Sequence, residues 1–284
     1  MGNIFVIARA TNGLITRQAF YYLLLFILAV LIYMSQTLVL FAFSYEANMI
    51  REMGIATISL WGLIIVVVMS QTIVTAELED RTAVTLLSKP IKKSEFLLGK
   101  LFGVLLSIFF GVLFLTAILI LTIWDYTHAE LFEGTGFIDA YKGGMSIVEF
   151  TYRNFFIPHA FVILEGAFLS FLQCAVLSAV CISLAAFFPM LVTVATTMLI
   201  YILGNLSTYI KVGLGKADSL PLTAIGNFFY YLLPNFGYFN LQTAFSEGNI
   251  ISFKYLLFAS IYGVVYIAIV LTIATAIFNR REIR

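Results

Sequence analysis

Residues 77–100 read ELEDRTAVTLLSKPIKKSEFLLGK, and apolar runs flank them on both sides, at 55–76 and 101–124. The stretch gathers five basic side chains (Arg81, Lys89, Lys92, Lys93, Lys100) and four acidic ones (Glu77, Glu79, Asp80, Glu95) in a chain that is 62% hydrophobic and only 11% charged. Soluble domains carry roughly a quarter charged residues, so with a mean hydropathy of +1.02 this chain falls outside that class. The charged stretch therefore reads as a water-exposed interlude between two membrane spans. It is the place where a mostly apolar protein meets a soluble partner.

Working outward, a spanning helix needs about 20 predominantly apolar residues. Six runs qualify, at 20–44, 55–76, 101–124, 160–187, 190–210 and 254–278. Each is expected to be helical, because lipid offers no water to backbone N–H and C=O groups. Phe188-Pro189 predicts a tight turn between the fourth and fifth, since proline ends one helix and can open the next. Arg9, Arg17, the basic residues of 77–100 and the tail residues Arg280, Arg281 and Arg284 fall on one side of a six-span topology. The opposite side is richer in acid. The positive-inside rule then places both termini and residues 77–100 in the cytoplasm. Nothing in the first nineteen residues resembles a cleavable signal, as Arg9, Asn12, Arg17 and Gln18 interrupt any apolar core.

Residues 3–18 predict an amphipathic helix at the membrane interface, with Ile4, Ile7, Ala8 and Ile15 on one face and Arg9, Asn12, Gly13 and Thr16 on another. Residues 125–158 form a Gly-containing external loop. Residues 220–233 are apolar but broken by Pro221 and Gly226 and stopped by Pro234, which is too short to span; external re-entrant helices before span six are the expectation. There is no repeat and no linker composition, so residues 1–284 form a single transmembrane domain. The expected fold is an all-α integral membrane protein.

Several chemistries are excluded. A net charge of +1 argues against nucleic acid as a partner. Cys174 and Cys181 sit seven positions apart inside an apolar run and read as buried reduced thiols. His128 and His159 have no second ligand at metal spacing, so no metal site is expected. Gly99-Lys100 resembles the end of a phosphate-binding loop, but Ser94 and Leu101 stand where that motif needs glycine and Ser/Thr. Lys100 reads instead as a snorkelling side chain at the start of span three. No catalytic residue is assigned and no cofactor is expected in this chain. Glu165 is the one clear acid inside a span, about 9 Å deep if span four starts near His159. It either reaches the headgroups, bonding water or a loop residue such as Arg153, or faces a dimer cleft. Gln71, Gln173 and Asn205 are the other strongly polar side chains of the spans. They read first as helix–helix glue, while Glu165, Gln173 and Asn205 are candidates for a translocation route.

Within 77–100 a short helix over 78–88 is expected to turn at Pro90, with Glu77, Glu79 and Asp80 early and Lys89 at its end, an order that suits the helix dipole. Val84 and Leu87 would form a small apolar anchor, flanked by Ala83 and Leu86, within a charged rim. A docking surface and a merely solvated loop both fit these residues.

The pattern Glu77-Leu78-Glu79, Thr82, Leu86-Leu87-Ser88, Pro90, then Glu95 with Leu98-Gly99-Lys100 resembles the cytoplasmic coupling helix of type-2 ABC transporter permeases. Leu233-Pro234-Asn235 before the last span, and the tail Phe278-x-Arg280-Arg281 after it, are similar to the subgroup that includes the nitrous-oxide-reductase maturation permease. The resemblance implies a permease subunit in a bacterial inner membrane that dimerises with itself or a close homologue and binds cytoplasmic ABC ATPase subunits, which would hold ATP and Mg. Glu77, Glu79, Asp80, Arg81, Thr82, Val84, Leu86, Leu87, Ser88 and Pro90 would form the ATPase-docking segment. The chain itself would be no enzyme. Two functions follow from it: export of a substrate, or mechanical drive to a periplasmic or external partner protein. An ion-coupled carrier or intramembrane enzyme is disfavoured by the missing titratable ladder.

The topology makes a direct prediction. With Cys174 and Cys181 replaced by Ser, the substitution Ser88→Cys should react with a membrane-impermeant thiol reagent only after cells are opened. Gly143→Cys should react in intact spheroplasts. Equal labelling of both sites before lysis would contradict six spans.

Overall fold

A computed structural model describes residues 2–38, 46–79, 93–133, 157–215, 230, 233–240 and 252–280. Among these residues there are seven long helices and no strand. They are α1 (Gly2–Thr16), α2 (Ala19–Leu38), α3 (Glu46–Glu79), α4 (Lys93–Glu133), α5 (Ile157–Ala185), α6 (Met190–Gly215) and α7 (Phe253–Arg280), with one 3₁₀ turn, η1 (Phe236–Phe239), before α7. Six of them, α2 to α7, are long and apolar enough to cross a membrane. The architecture is of the multi-pass membrane kind that the apolar runs predict.

α5 is the central helix. Buried positions make up 83% of its apolar window, against 22% for α6 and 17% for α7. Its small side chains explain this place. Apolar surface alone does not draw helices together in lipid, so backbones must approach closely enough for dispersion to hold them. A Cβ added to Gly166 would overlap Ile55 of α3, and one added to Gly62 would overlap the Cys174 sulfur. Further along, the Cys181 thiol donates to the Val66 carbonyl at 3.7 Å. These three contacts advance in the same direction on both helices, so α3 and α5 run parallel. Both cysteines are buried and free. α4 runs antiparallel to α3: Gly54 receives Leu119, and Gly111 receives the Trp61 indole with no room for a Cβ. Tyr21 of α2 closes this seam. Its ring meets Trp61 edge-on at 5.6 Å, and its hydroxyl donates to the Ser107 carbonyl at 2.8 Å.

α1 is a separate helix, as the amphipathic pattern predicts, with Ala8 and Ile15 buried and Arg9 exposed. Its partner is protein. α1 lies along the first turns of α4, where Gly99, Gly103 and Ser107, spaced four apart, make a smooth seat. Ile7 fills the space over Gly99 and Thr11 that over Gly103. The Ser107 hydroxyl donates to the Asn12 side-chain oxygen at 2.6 Å, and Asn3 donates to Glu95 at 3.3 Å. Gly99 is therefore a packing residue. Lys100 differs from expectation: only 2% exposed, it does not reach out to water but lies over the Phe96 ring, 5.6 Å from its centroid.

One boundary shifts. α3 starts at Glu46 and its apolar window at Ala47, earlier than the expected start at 55. Two charged residues, Arg51 and Glu52, are thus drawn into the helix. Arg51 is 6% exposed, with its guanidinium 3.3 Å from His159 Nδ1 on α5. A polar partner across the helix seam makes that burial tolerable. The turn at Phe188-Pro189 is present, with the Thr193 amide donating to the Pro189 carbonyl at 3.1 Å. The expected coupling helix over 78–88 lies outside the described residues beyond Glu79, as do the 125–158 loop from 134 to 156 and most of 211–253.

Because Gly111 has no free volume, Gly111→Val should cost roughly 1–3 kcal/mol through overpacking, read as a lower thermal midpoint of the detergent-solubilised protein. Gly13 of α1 faces open space, so Gly13→Ala should instead gain about 0.5–1 kcal/mol of helix propensity. Equal midpoints for Gly111→Val and wild type would refute the α3–α4 seam.

Candidate functional site

Polar residues from three of the long helices share one cleft. α3 contributes Glu52, Ile55, Ala56 and Ser59, at spacings of three, four and seven that form one helical stripe. α5 contributes Ser170 and Gln173, and α6 contributes Tyr201 and Asn205, again pairs that share a helix face. Phe239 and Asn240, at the end of η1, complete the wall. The cleft has a volume of ≈160 Å³. A single water needs about 10–15 Å³ by this measure, so there is room for several.

Local chemistry sets each wall. The Ser59 and Ser170 hydroxyls lie 2.8 Å apart and tie α3 to α5. Asn205 donates from Nδ2 to the Tyr201 carbonyl one turn back, at 2.9 Å, and its side-chain oxygen does not share that bond. Gln173 is 7% exposed and lines the cleft, with no hydrogen bond to another described residue; its amide opens onto the cleft, where water or a ligand can satisfy it.

η1 is held over this site by its own sequence. The Asn235 side chain caps the turn, accepting from the Gly237 amide at 3.0 Å. The Asn235 amide donates to the Tyr262 hydroxyl of α7 at 2.9 Å. Phe236, fully buried, and the Pro234 carbonyl seat against Gly204 of α6, where a side chain would collide. Tyr255 donates to the Tyr238 carbonyl at 2.8 Å. Tyr238 also bonds the Tyr230 hydroxyl at 3.2 Å; that bond, followed by burial, pushes its phenol up to about 12.

Of the residues singled out in the sequence, Gln173 and Asn205 are brought together on the cleft. Glu165 is not: it is half-buried on α5, eight positions before Gln173, and does not line it. The side chains of Gln71, Glu77 and Glu79 lie outside the described residues, although all three positions are helical in α3. So do Asp80, Arg81, Thr82, Val84, Leu86, Leu87, Ser88 and Pro90. Sequence reading missed Glu52, Ser59, Ser170 and Tyr201. The stripe Glu52–Ile55–Ala56–Ser59 is helically periodic and was the available signal, but Glu52 reads as a loop residue when the span is started at 55. A second hollow of ≈430 Å³, lined by Phe109, Val112, Phe168 and Phe171 among others, lies between α4 and α5 and is apolar. Among the described residues no group of three or more His, Cys, Asp or Glu side chains could hold a metal ion.

No protein-family model matches the chain, and no curated protein matches it.

If the cleft is wet, position 173 should be accessible where its neighbour is not. Gln173→Cys, with Cys174 and Cys181 replaced by Ala, should react with a small hydrophilic methanethiosulfonate at least about tenfold faster than native Cys174 alone. Cys174 is 3% exposed and pressed on Gly62. Equal rates would argue for a dry cleft.

Proposed function

We propose that this chain is the permease subunit of an ATP-driven transporter of the type-2 ABC kind, coupling ATP hydrolysis on separate ATPase subunits to export of a substrate. The observation that carries the reading is the continuity of α3. It runs unbroken through 34 residues, Glu46–Glu79, and so joins the cleft wall at Glu52–Ser59 to the first part of the charged segment. At 1.5 Å per residue that is ~51 Å, well beyond a hydrocarbon core of ~30 Å. α4, with 41 residues, starts at Lys93 on the other side of the same segment. A push on residues 80–92 therefore acts on two long rods. One of them carries four of the ten residues that line the cleft, while the others belong to α5, α6 and the end of η1.

The mechanism follows from this lever. An ATPase engaging Val84 and Leu87 would displace the ends of α3 and α4 together. The parallel α3–α5 seam would shear, parting Ser59 from Ser170 and changing the width of the cleft. ATP and Mg would be held by the ATPase; this chain transmits force. The charge distribution supports cytoplasmic termini and a cytoplasmic 77–100 segment; in that orientation the cleft would lie in the outer half of the membrane, with η1 and its aromatic contacts at the outer boundary. α1, exposing Phe5 and Val6 beside Arg9, suits the inner interface. A second permease copy would cover the weakly buried helices. The limited size of the cleft, ≈160 Å³, favours a second reading in which the same lever drives an external protein and no substrate passes.

The test is docking. Val84→Asp together with Leu87→Asp should reduce co-purification of the ATPase from native membranes at least about tenfold, since an apolar anchor becomes two charges that would have to be desolvated. Full, coupled ATPase activity in the double variant would overturn the proposal. With docking intact, transport of a solute into vesicles separates export from the second reading.

A further inference from the structure

The order of side chains along the cleft defines what fits it. On α3 the stripe runs from a carboxylate (Glu52) through two apolar residues (Ile55, Ala56) to a hydroxyl (Ser59). Glu52 and Ser59 are seven residues apart, about 10 Å along a helix axis. At the Ser59 end stand Ser170 and the partnerless amide of Gln173. Phe239 also lines the cleft. Among the described residues no Lys, Arg or His lines the cleft; Arg51, next to Glu52 in sequence, feels the Glu52 charge but places its guanidinium 3.3 Å from His159 on α5.

We infer that the cleft binds a small protonated amine with a short apolar body and a hydroxyl or similar hydrogen-bonding group at its far end. The ammonium would donate to the Glu52 carboxylate, a charge-assisted bond stronger than a neutral one. The aliphatic segment would lie on Ile55, Ala56 and Phe239. The distal hydroxyl would satisfy Gln173, whose amide can both donate and accept. An anion would meet the Glu52 carboxylate with no cation among the described lining residues to receive it, and a large lipid or peptide exceeds the available volume. This assignment rests on the reading of the cleft as the substrate-facing part of the permease. It concerns equilibrium binding, which needs neither ATP nor the ATPase.

Binding of three chain-matched probes to the full-length protein in nanodiscs, measured by calorimetry, tests the inference. The probes are aminopentanol, pentanediol and hydroxypentanoate. Aminopentanol should bind most tightly, pentanediol at least about tenfold more weakly, a loss of about 1.4 kcal/mol, and hydroxypentanoate not measurably. Glu52→Gln keeps the shape and removes the charge. It should bring aminopentanol down to the level of pentanediol and leave pentanediol unchanged. Gln173→Leu should weaken both. The wild-type ranking needs no variant, so a poorly folding mutant does not blunt the test. Binding of hydroxypentanoate as tight as that of aminopentanol, indifference of aminopentanol to Glu52→Gln, or no binding by any probe would each overturn the inference. The variant Val84→Asp with Leu87→Asp should bind aminopentanol like wild type, so failure of ATPase docking and failure of amine recognition are separately visible.

Discussion

The rest of the structure depends on the close approach of α3 to its two neighbours. In lipid the apolar surfaces of helices have no water to escape, so the association must come from contact itself. Gly54 and Gly111 let α4 reach α3, while Gly62 and Gly166 do the same between α3 and α5. Each site leaves no space for a Cβ, which fixes register as well as distance. Trp61 illustrates the consequence: fully buried, it sits over Gly111 and meets Tyr21 edge-on, joining three helices through one side chain.

That rigidity gives the polar cleft its definition. Hydroxyls and amides inside a bundle are stabilising only when their partners are in place. Ser59 and Ser170 satisfy one another because the parallel α3–α5 seam holds them opposite. Gln173, on the same seam but facing the cleft, is left for water or a ligand. η1 adds the remaining wall and is itself fastened at both ends, to α6 through Gly204 and to α7 through Tyr262 and Tyr255. Motion of α3 against α5 would therefore change the cleft without loosening its roof.

α1 shows how a pattern can be right about structure and incomplete about surroundings. Its apolar periodicity predicts an amphipathic helix, and the helix is there. The face carrying Ala8, Thr11 and Ile15 is buried, and Ile7 and Thr11 sit on α4. Amphipathicity reports that one face avoids water and does not report whether lipid or protein covers it. The spacing Gly99–Gly103–Ser107–Gly111 was the sequence sign that α4 offered a flat seat. Lys100 misleads for a related reason: a lysine at a span boundary usually snorkels, but α1 and Phe96 lie close to it here and it is buried.

By itself the sequence determined the six apolar helices, the turn at Pro189, the separate amino-terminal helix and the buried thiols. All of these are local consequences of residue type, because run length, proline and periodicity act over a few turns. The tertiary structure alone decided which polar residues share a site. Gln173 and Asn205 meet while Glu165 stays apart, although all three read alike as polar exceptions in apolar runs. Glu52 belongs to the site because Arg51 finds His159 across the seam and lets α3 start early. The Arg51–His159 and Ser59–Ser170 pairings join positions more than a hundred residues apart. Their energy comes from shape and hydrogen-bond geometry between helices, which no single segment encodes.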